Sequence, residues 1–187
     1  MGIDTAEPGF VSPADEHRAG GQGALRVAVL TVSDTRTVAT DTGGALVKAL
    51  LEQSGHLVVA ARIVPDDDDA IRAGAQDWVE DPEIDAVIVT GGTGIAPRDR
   101  TAEALLPILD RTIDGFGELF RMLSFEEIGS AAMLSRAFGG IAGHTPIFAL
   151  PGSRNAIALA MDRLIVPELG HVVFESRKGL ERNGSSV

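Results

Sequence analysis

The run Arg26 to Val32, RVAVLTV, is apolar or β-branched at almost every position. A strand that faces water on one side alternates, so an unbroken run of this kind belongs to a strand buried on both faces. Such a strand obliges the chain to cover both sides of a sheet with helices. Two further runs fit that plan: HLVVAARIV at 56–64, ended by Pro65, and IDAVIVT at 84–90. Between the first pair, Leu46, Val47, Leu50 and Leu51 recur on one helical face from Thr42, and Gly55 stands where a helix stops. Between the second pair, Ile71, Ala75, Trp78 and Val79 repeat at helical spacing before Asp81-Pro82. The order β-α-β-α-β with short connections predicts a three-layer α/β/α fold around a mostly parallel sheet.

The second half is less regular. Residues 101–134 read as helix-rich, with Phe116, Leu119, Phe120 and Leu123 as an apolar stripe. AFGGIAGHTPIFALPG (137–152) predicts two short strands around a Gly-His turn, an antiparallel hairpin at the sheet. A last helical pattern starts near Ser153 and runs through Ile157, Met161 and Ile165, with one more helix in PELGHVVFE. A length of 187 residues suits a single core. The expected domain is 24–178, between a mobile tail at 1–23, rich in Gly, Pro and acidic residues, and a flexible C-terminus at 179–187.

Composition narrows the chemistry. Without cysteine there is no disulfide, thiolate ligand or thiol nucleophile. Sixteen Lys and Arg against 27 Asp and Glu, a net charge of −11, argue against a nucleic-acid partner, which needs clustered basic residues. No apolar run approaches the roughly 20 residues that span a bilayer, and the N-terminus lacks a secretory pattern, so no membrane partner and a cytoplasmic location are expected. The four histidines, His17, His56, His144 and His171, have no zinc-type spacing, and no Ser-His-Asp arrangement is legible.

In parallel sheets ligands sit beyond the carboxyl ends of the strands, which directs attention to SDTRT, PDDDD and GGTGIAPRD. The loop Thr90, Gly91, Gly92, Thr93, Gly94 has two readings: a plain turn, or a nest of backbone N–H groups that binds phosphate. It matches neither GxGxxG nor GxxxxGK[ST]. Asp66 to Asp69 suit a helix N-terminus, but four acids exceed what capping needs, and Asp66 lies at the strand end. Asp99, between Arg98 and Arg100, reads either as a local ion pair and cap or, with Asp66, as a hard-oxygen pair for Mg²⁺. Ser153 is an N-cap or a hydroxyl facing a ligand.

LTVSDT, VPDD, VTGGTGIAPRDRTAEALLP, GFGELFRMLSFEEIG, AMLSRAFGG and FALPGSRNAI together resemble the MoaB/MogA family of molybdenum cofactor biosynthesis proteins. The six motifs occur in the family's order and cover the chain from about Arg26 to the last helix. The resemblance implies a molybdopterin-binding-like fold and an adenylyltransferase that joins AMP from ATP to the terminal phosphate of molybdopterin, with Mg²⁺, releasing pyrophosphate. It implies that Thr90 to Gly94 cradle phosphate and that Asp66 and Asp99 are the paired acids of the reaction and of the metal. Ser33 and Asp34 would line the nucleotide side, and Ser135 and Ser153 fall in segments associated with the pterin. MLSFEEIG resembles the MoaB branch, some of whose members lack the acids and are non-catalytic molybdopterin binders; this chain keeps both acids. The family also implies a homo-oligomer, a trimer or a hexamer of two trimers, with the MLSFEEIG helix in the subunit contact.

Overall fold

The computed structural model describes residues 23–178. The expected tails, apart from Gly23, lie outside the described residues. The elements run β1 (Arg26–Val32), α1 (Thr42–Gln53), β2 (Leu57–Val64), α2 (Asp68–Val79), β3 (Ala86–Thr90), α3 (Thr101–Leu105), β4 (Arg111–Thr112), α4 (Asp114–Ile128), β5 (Phe138–Ala142), β6 (Thr145–Leu150), α5 (Arg154–Ala160) and α6 (Val166–Arg177). A 3-10 turn at Gly129–Leu134 precedes β5, and a π turn at Met161–Ile165 joins α5 to α6.

These strands form one six-stranded sheet in the order β2-β1-β3-β6-β5-β4. The first four are parallel neighbours, and β5 runs antiparallel to both β6 and β4. The expected mostly parallel sheet with an antiparallel hairpin is therefore what the chain builds. β1 and β3 are buried along nearly their whole length because each contributes to two cores. Val27, Val29 and Ile88 join the helices α1, α4, α5 and α6 on one face. Ala28, Leu30, Val87 and Val89 join α2 and α3 on the other. β2 is an edge strand, and it accordingly exposes Leu57 and Val59.

The helix-rich reading of 101–134 needs two corrections. The two exposed residues of β4, too few to show any alternation, break the helical stretch by pairing with Gly140 and Ile141. The apolar stripe is also not uniform: Phe116 and Phe120 are buried, with Phe116 packed edge-on to Phe148 at 5.0 Å, but Leu119 is 47% exposed. It belongs instead to an open apolar face with Met122, Phe125 and Ile128.

Strand order reverses at β1, with β2 on one side and β3 on the other. The loops leaving β1 and β3 therefore diverge around a crevice at the carboxyl end of the sheet. Asp41 caps α1 at that end, accepting from the Gly44 N–H at 2.8 Å and from the buried Thr31 hydroxyl at 2.7 Å. The loop after β6 closes against the crevice from the third side, where the Thr90 hydroxyl donates to the Pro151 carbonyl at 3.2 Å.

Candidate functional site

The loop after β3 has all four of its glycine-segment carbonyls occupied by the protein. The Thr101 hydroxyl donates to the Gly91 carbonyl at 2.8 Å and the Thr101 N–H to that of Gly92 at 3.1 Å. Arg136 takes the next two, its N–H donating to Thr93 at 2.9 Å and its Nε–H to Gly94 at 2.6 Å. In a trans peptide the N–H of each residue points opposite to the preceding carbonyl, and there is no cis bond among the described residues. The N–H groups of Gly92, Thr93, Gly94 and Ile95 are thereby turned away from Thr101 and Arg136. None of the four has a protein acceptor among the described residues. Unclaimed N–H donors along one loop are what an anion-binding concavity requires. Positive φ at Gly91 (103°) and Gly92 (61°) makes the shape possible. The Thr93 hydroxyl adds a polar group that is 2% exposed and has no protein partner among the described residues.

Two carboxylates border this loop. A Cβ placed on Gly92 would lie 2.9 Å from Asp66 Oδ1, and one on Gly94 would lie 2.6 Å from Asp99 Oδ2. The acidic run after β2 sorts itself by role. Asp67 is the N-cap of α2, accepting from Asp69 and Ala70; Asp68 forms a forked pair with Arg100 at 2.7 and 2.6 Å; and Asp69 pairs with Arg72. Asp66 has no ion pair among the described residues. Burial, then the charges of Asp34 and Asp99, push its carboxyl above the ordinary value, with Arg98 opposing. Asp99 is not the local ion pair that its flanking arginines suggest, since Arg100 is committed to Asp68. Nor does it cap α3; it accepts from the Ala96 N–H at 2.8 Å.

The remaining expected residues divide. Ser33 accepts from the N–H groups of Thr35 and Arg36, and Asp34 from that of Asp66 at 3.0 Å. Both line a groove of about 550 Å³ with Arg36 and Pro65, adjoining the acids. Ser153 is exposed and is the N-cap of α5, accepting from Ala156 at 3.4 Å, as its simpler reading holds. Its neighbour Gly152 backs onto the Gly91 backbone. Ser135 accepts from Ala137 at 3.3 Å and immediately precedes Arg136. Thr101 and Arg136 were not legible as site residues, because each acts through partners about ten and forty residues away.

The described residues hold no cluster of three or more His, Asp or Glu side chains able to bind a metal unaided. Two hard carboxylates beside an N–H nest do suit Mg²⁺, which usually takes one or two carboxylates and completes its shell with water and phosphate oxygens.

Residues 28–171 match the molybdenum cofactor biosynthesis domain family, described as a probable molybdopterin binding domain. The chain belongs to the MoaB/MogA family of molybdenum cofactor biosynthesis proteins. It is 49% identical over 164 residues to molybdenum cofactor biosynthesis protein B of Bacillus subtilis, spanning 87% of this chain and 96% of the relative. A crystal structure of a molybdenum cofactor biosynthesis protein B superposes with a TM-score of 0.81 at 48% identity, covering 83% of this chain and 98% of the other. The tungsten cofactor synthesizing protein MoaB from Pyrococcus furiosus gives 0.75 at 34% identity, covering 83% and 98%. In this MoaB/MogA member no helix among the described residues is long and apolar enough to cross a membrane.

The nest makes one substitution informative. An alanine methyl at Gly92 would collide with the Thr101 hydroxyl and crowd Asp66 Oδ1 at 2.9 Å, at a φ of 61° that alanine resists. The Thr101 side chain is buried and β-branched, so its hydroxyl can yield only by giving up its hydrogen bond to the Gly91 carbonyl, and some loss of stability is expected beside the loss of binding. Gly92→Ala is expected to weaken binding of a phosphate ligand by about tenfold or more, since 1.4 kcal/mol of misfit suffices. Calorimetric titration with Mg-ATP checks this, and unchanged affinity would remove the loop from the binding site.

Proposed function

We propose that the chain is a molybdopterin adenylyltransferase, working in molybdenum cofactor biosynthesis. The observation that carries the reading is the nest of four N–H groups flanked by two carboxylates, the former unclaimed and the latter without ion-pair partners among the described residues. Donors attract an anion and the acids repel it, so the two are compatible only for an anion that arrives with a cation. A metal-bound polyphosphate meets that condition.

In this reading an oxygen of the molybdopterin phosphate attacks the α-phosphorus of ATP. A new P–O–P bond forms, the bond from the α-phosphorus to the β-phosphate oxygen breaks, and pyrophosphate leaves. The amides of Gly92 to Ile95 hold phosphate oxygens in position and neutralise charge without needing a nucleophilic side chain. Asp66 and Asp99 would hold Mg²⁺, which supplies charge neutralisation at the phosphates and leaving group. Asp34 fixes Asp66 by accepting from its N–H, and the Arg100–Asp68 fork ties the start of α2 to that of α3, so both acids sit on braced loops. Ser33 and the groove beside it are placed to receive the nucleotide, and the Ser135 and Ser153 segments the pterin.

Incubation with molybdopterin, ATP and Mg²⁺ should yield adenylylated molybdopterin and pyrophosphate in equal amounts. Retention of molybdopterin with no product would instead identify a non-catalytic binding protein, the alternative that the MoaB branch makes relevant.

The same reading includes a homo-oligomer. Met122, Phe125 and Ile128 follow one another along α4, and Met133 and Leu134 continue the apolar surface through the 3-10 turn. Phe125 is 60% exposed and Met133 77%. A continuous apolar surface of this kind marks a contact, and a second copy of the chain is its proposed occupant. Phe125→Asp is expected to shift sedimentation from a trimer or hexamer toward the monomer. A sharp oligomer that keeps its size with Asp at 125 would place the contact elsewhere.

A further inference from the structure

Arg136 is the first residue after Ser135, in the segment that joins the 3-10 turn to β5, and it reaches across to the loop after β3. Its N–H donates to the Thr93 carbonyl at 2.9 Å, its Nε–H to that of Gly94 at 2.6 Å, and its Nη2–H to that of Asp99 at 2.6 Å. The remaining Nη1 pairs with Glu103 at 2.5 Å. One side chain therefore holds both ends of the segment 94–99, which carries Asp99. Its backbone holds a third carbonyl. The hydrogen bond from Arg136 keeps the Glu103 carboxyl below its ordinary value, consistent with a persistent pair.

Nothing in the loop itself dictates this arrangement. Gly92 and Gly94 are free to flip their peptides, and a flip of the Thr93–Gly94 or Gly94–Ile95 peptide would turn an N–H away from the crevice and a carbonyl into it. A carbonyl facing a phosphate is repulsive, so one flip costs twice. The guanidinium suits the restraint because its donors form a rigid planar fork able to serve two carbonyls and a carboxylate together, whereas an ammonium is a single point.

We propose that Arg136 is a positioning residue: by tying the carbonyls of Gly94 and Asp99 it fixes which way the loop's N–H groups face, and so sets the phosphate affinity of the nest. The role rests on the reading of the loop as a phosphate cradle, but it touches no ligand itself. Because the donors to be held are on Gly94 and Ile95 and the acid is Asp99, one substitution loosens both halves of the site.

The test uses the full chain, ¹⁵N-labelled, with pyrophosphate and Mg²⁺ as the probe. Wild-type amide resonances of Gly94 and Ile95 should shift on titration, and their order parameters before titration should match rigid backbone, about 0.85. In Arg136→Met these amides should drop below about 0.6 without ligand, and pyrophosphate affinity should fall at least tenfold. Arg136→Lys should recover only part of that loss, because one ammonium cannot span both carbonyls. Arg121→Met is the control: it removes a comparable guanidinium bond, to the Ala137 carbonyl at 3.1 Å, from the same region but not from the loop. It should leave loop order and affinity within twofold of wild type. Arg136→Met with rigid loop amides would overturn the proposal whatever the ligand does. A rigid wild-type loop that ignores pyrophosphate, yet loosens in Arg136→Met, would sustain the positioning role and count against the cradle.

Discussion

Asp66→Asn is expected to reduce turnover by about 10²–10³-fold, the usual effect of removing one charge that stabilises a transition state, while making the free protein more stable at neutral pH. Both effects follow from the same surroundings. The Asp66 carboxyl is raised by burial and by Asp34 and Asp99, so the folded chain holds its proton more tightly than the unfolded chain does. Its contribution favours folding only below the raised value, and it is lost as pH rises through the window between the ordinary and the raised value. At pH 7 the ionised group is a net cost, and asparagine removes it without breaking an ion pair, since the Asp66 carboxylate makes none among the described residues. Partial exposure limits the gain to about 1–3 °C in Tm. At a pH low enough to protonate Asp66 the gain should vanish. Asp99→Asn should lose turnover similarly but gain no stability, since the Asp99 carboxylate accepts from the Ala96 N–H and asparagine can do the same. Normal kcat in both variants would reduce the acids to loop-builders, and a lower Tm for Asp66→Asn would mean that the site lacks the excess negative charge argued for it.

The parallel half of the sheet was legible because burial leaves a trace in composition. A strand covered on both faces must be apolar throughout, and β1 and β3 are. Their bounds, with those of α1 and α2, fall within two residues of the periodic pattern. Among the acids, the length of the run and its place at the strand end pointed to Asp66, and among the described residues it is the one of the four with neither a helix cap nor an ion pair to make. The adjacent-arginine reading of Asp99 failed because Arg100 finds a carboxylate thirty-two residues away, and neighbours in sequence say little about a fork that reaches across the sheet end. β4 is too short to carry a pattern. Leu119 looked like core because an exposed leucine at helical spacing leaves the same mark in the sequence as a buried one. Arg136 left no signal, since nothing local distinguishes an arginine that holds a distant loop from one in solvent.

Gly91→Ala should be among the most damaging single substitutions in the chain, and for a reason that differs from Gly92→Ala. Gly91 follows β3 directly and donates to the Leu150 carbonyl at 3.0 Å, while its own carbonyl accepts from Thr101. A Cβ there would be driven into the Val32 carbonyl oxygen, with the Val32 carbonyl carbon at 3.2 Å, at a φ of 103°. The obstacle is backbone at the end of β1, which is itself held by β2 and β3, so no side chain can swing aside. Relief requires parting β1 from β3 at the crevice, or breaking the β6 contact. An expected cost of about 3–5 kcal/mol places it in the class of steric and strained-backbone losses. Gly143→Ala isolates the conformational share: its φ is 59°, but nothing lies within 4 Å of the added methyl. That variant should lose only about 1–2 kcal/mol, the penalty of a left-handed alanine. Urea unfolding of the two variants side by side separates the causes. Equal losses would show that φ alone matters and that β1 and β3 do not approach as closely as the crevice requires. A large excess at Gly91 would mean that the glycine is there first to let two strand ends meet.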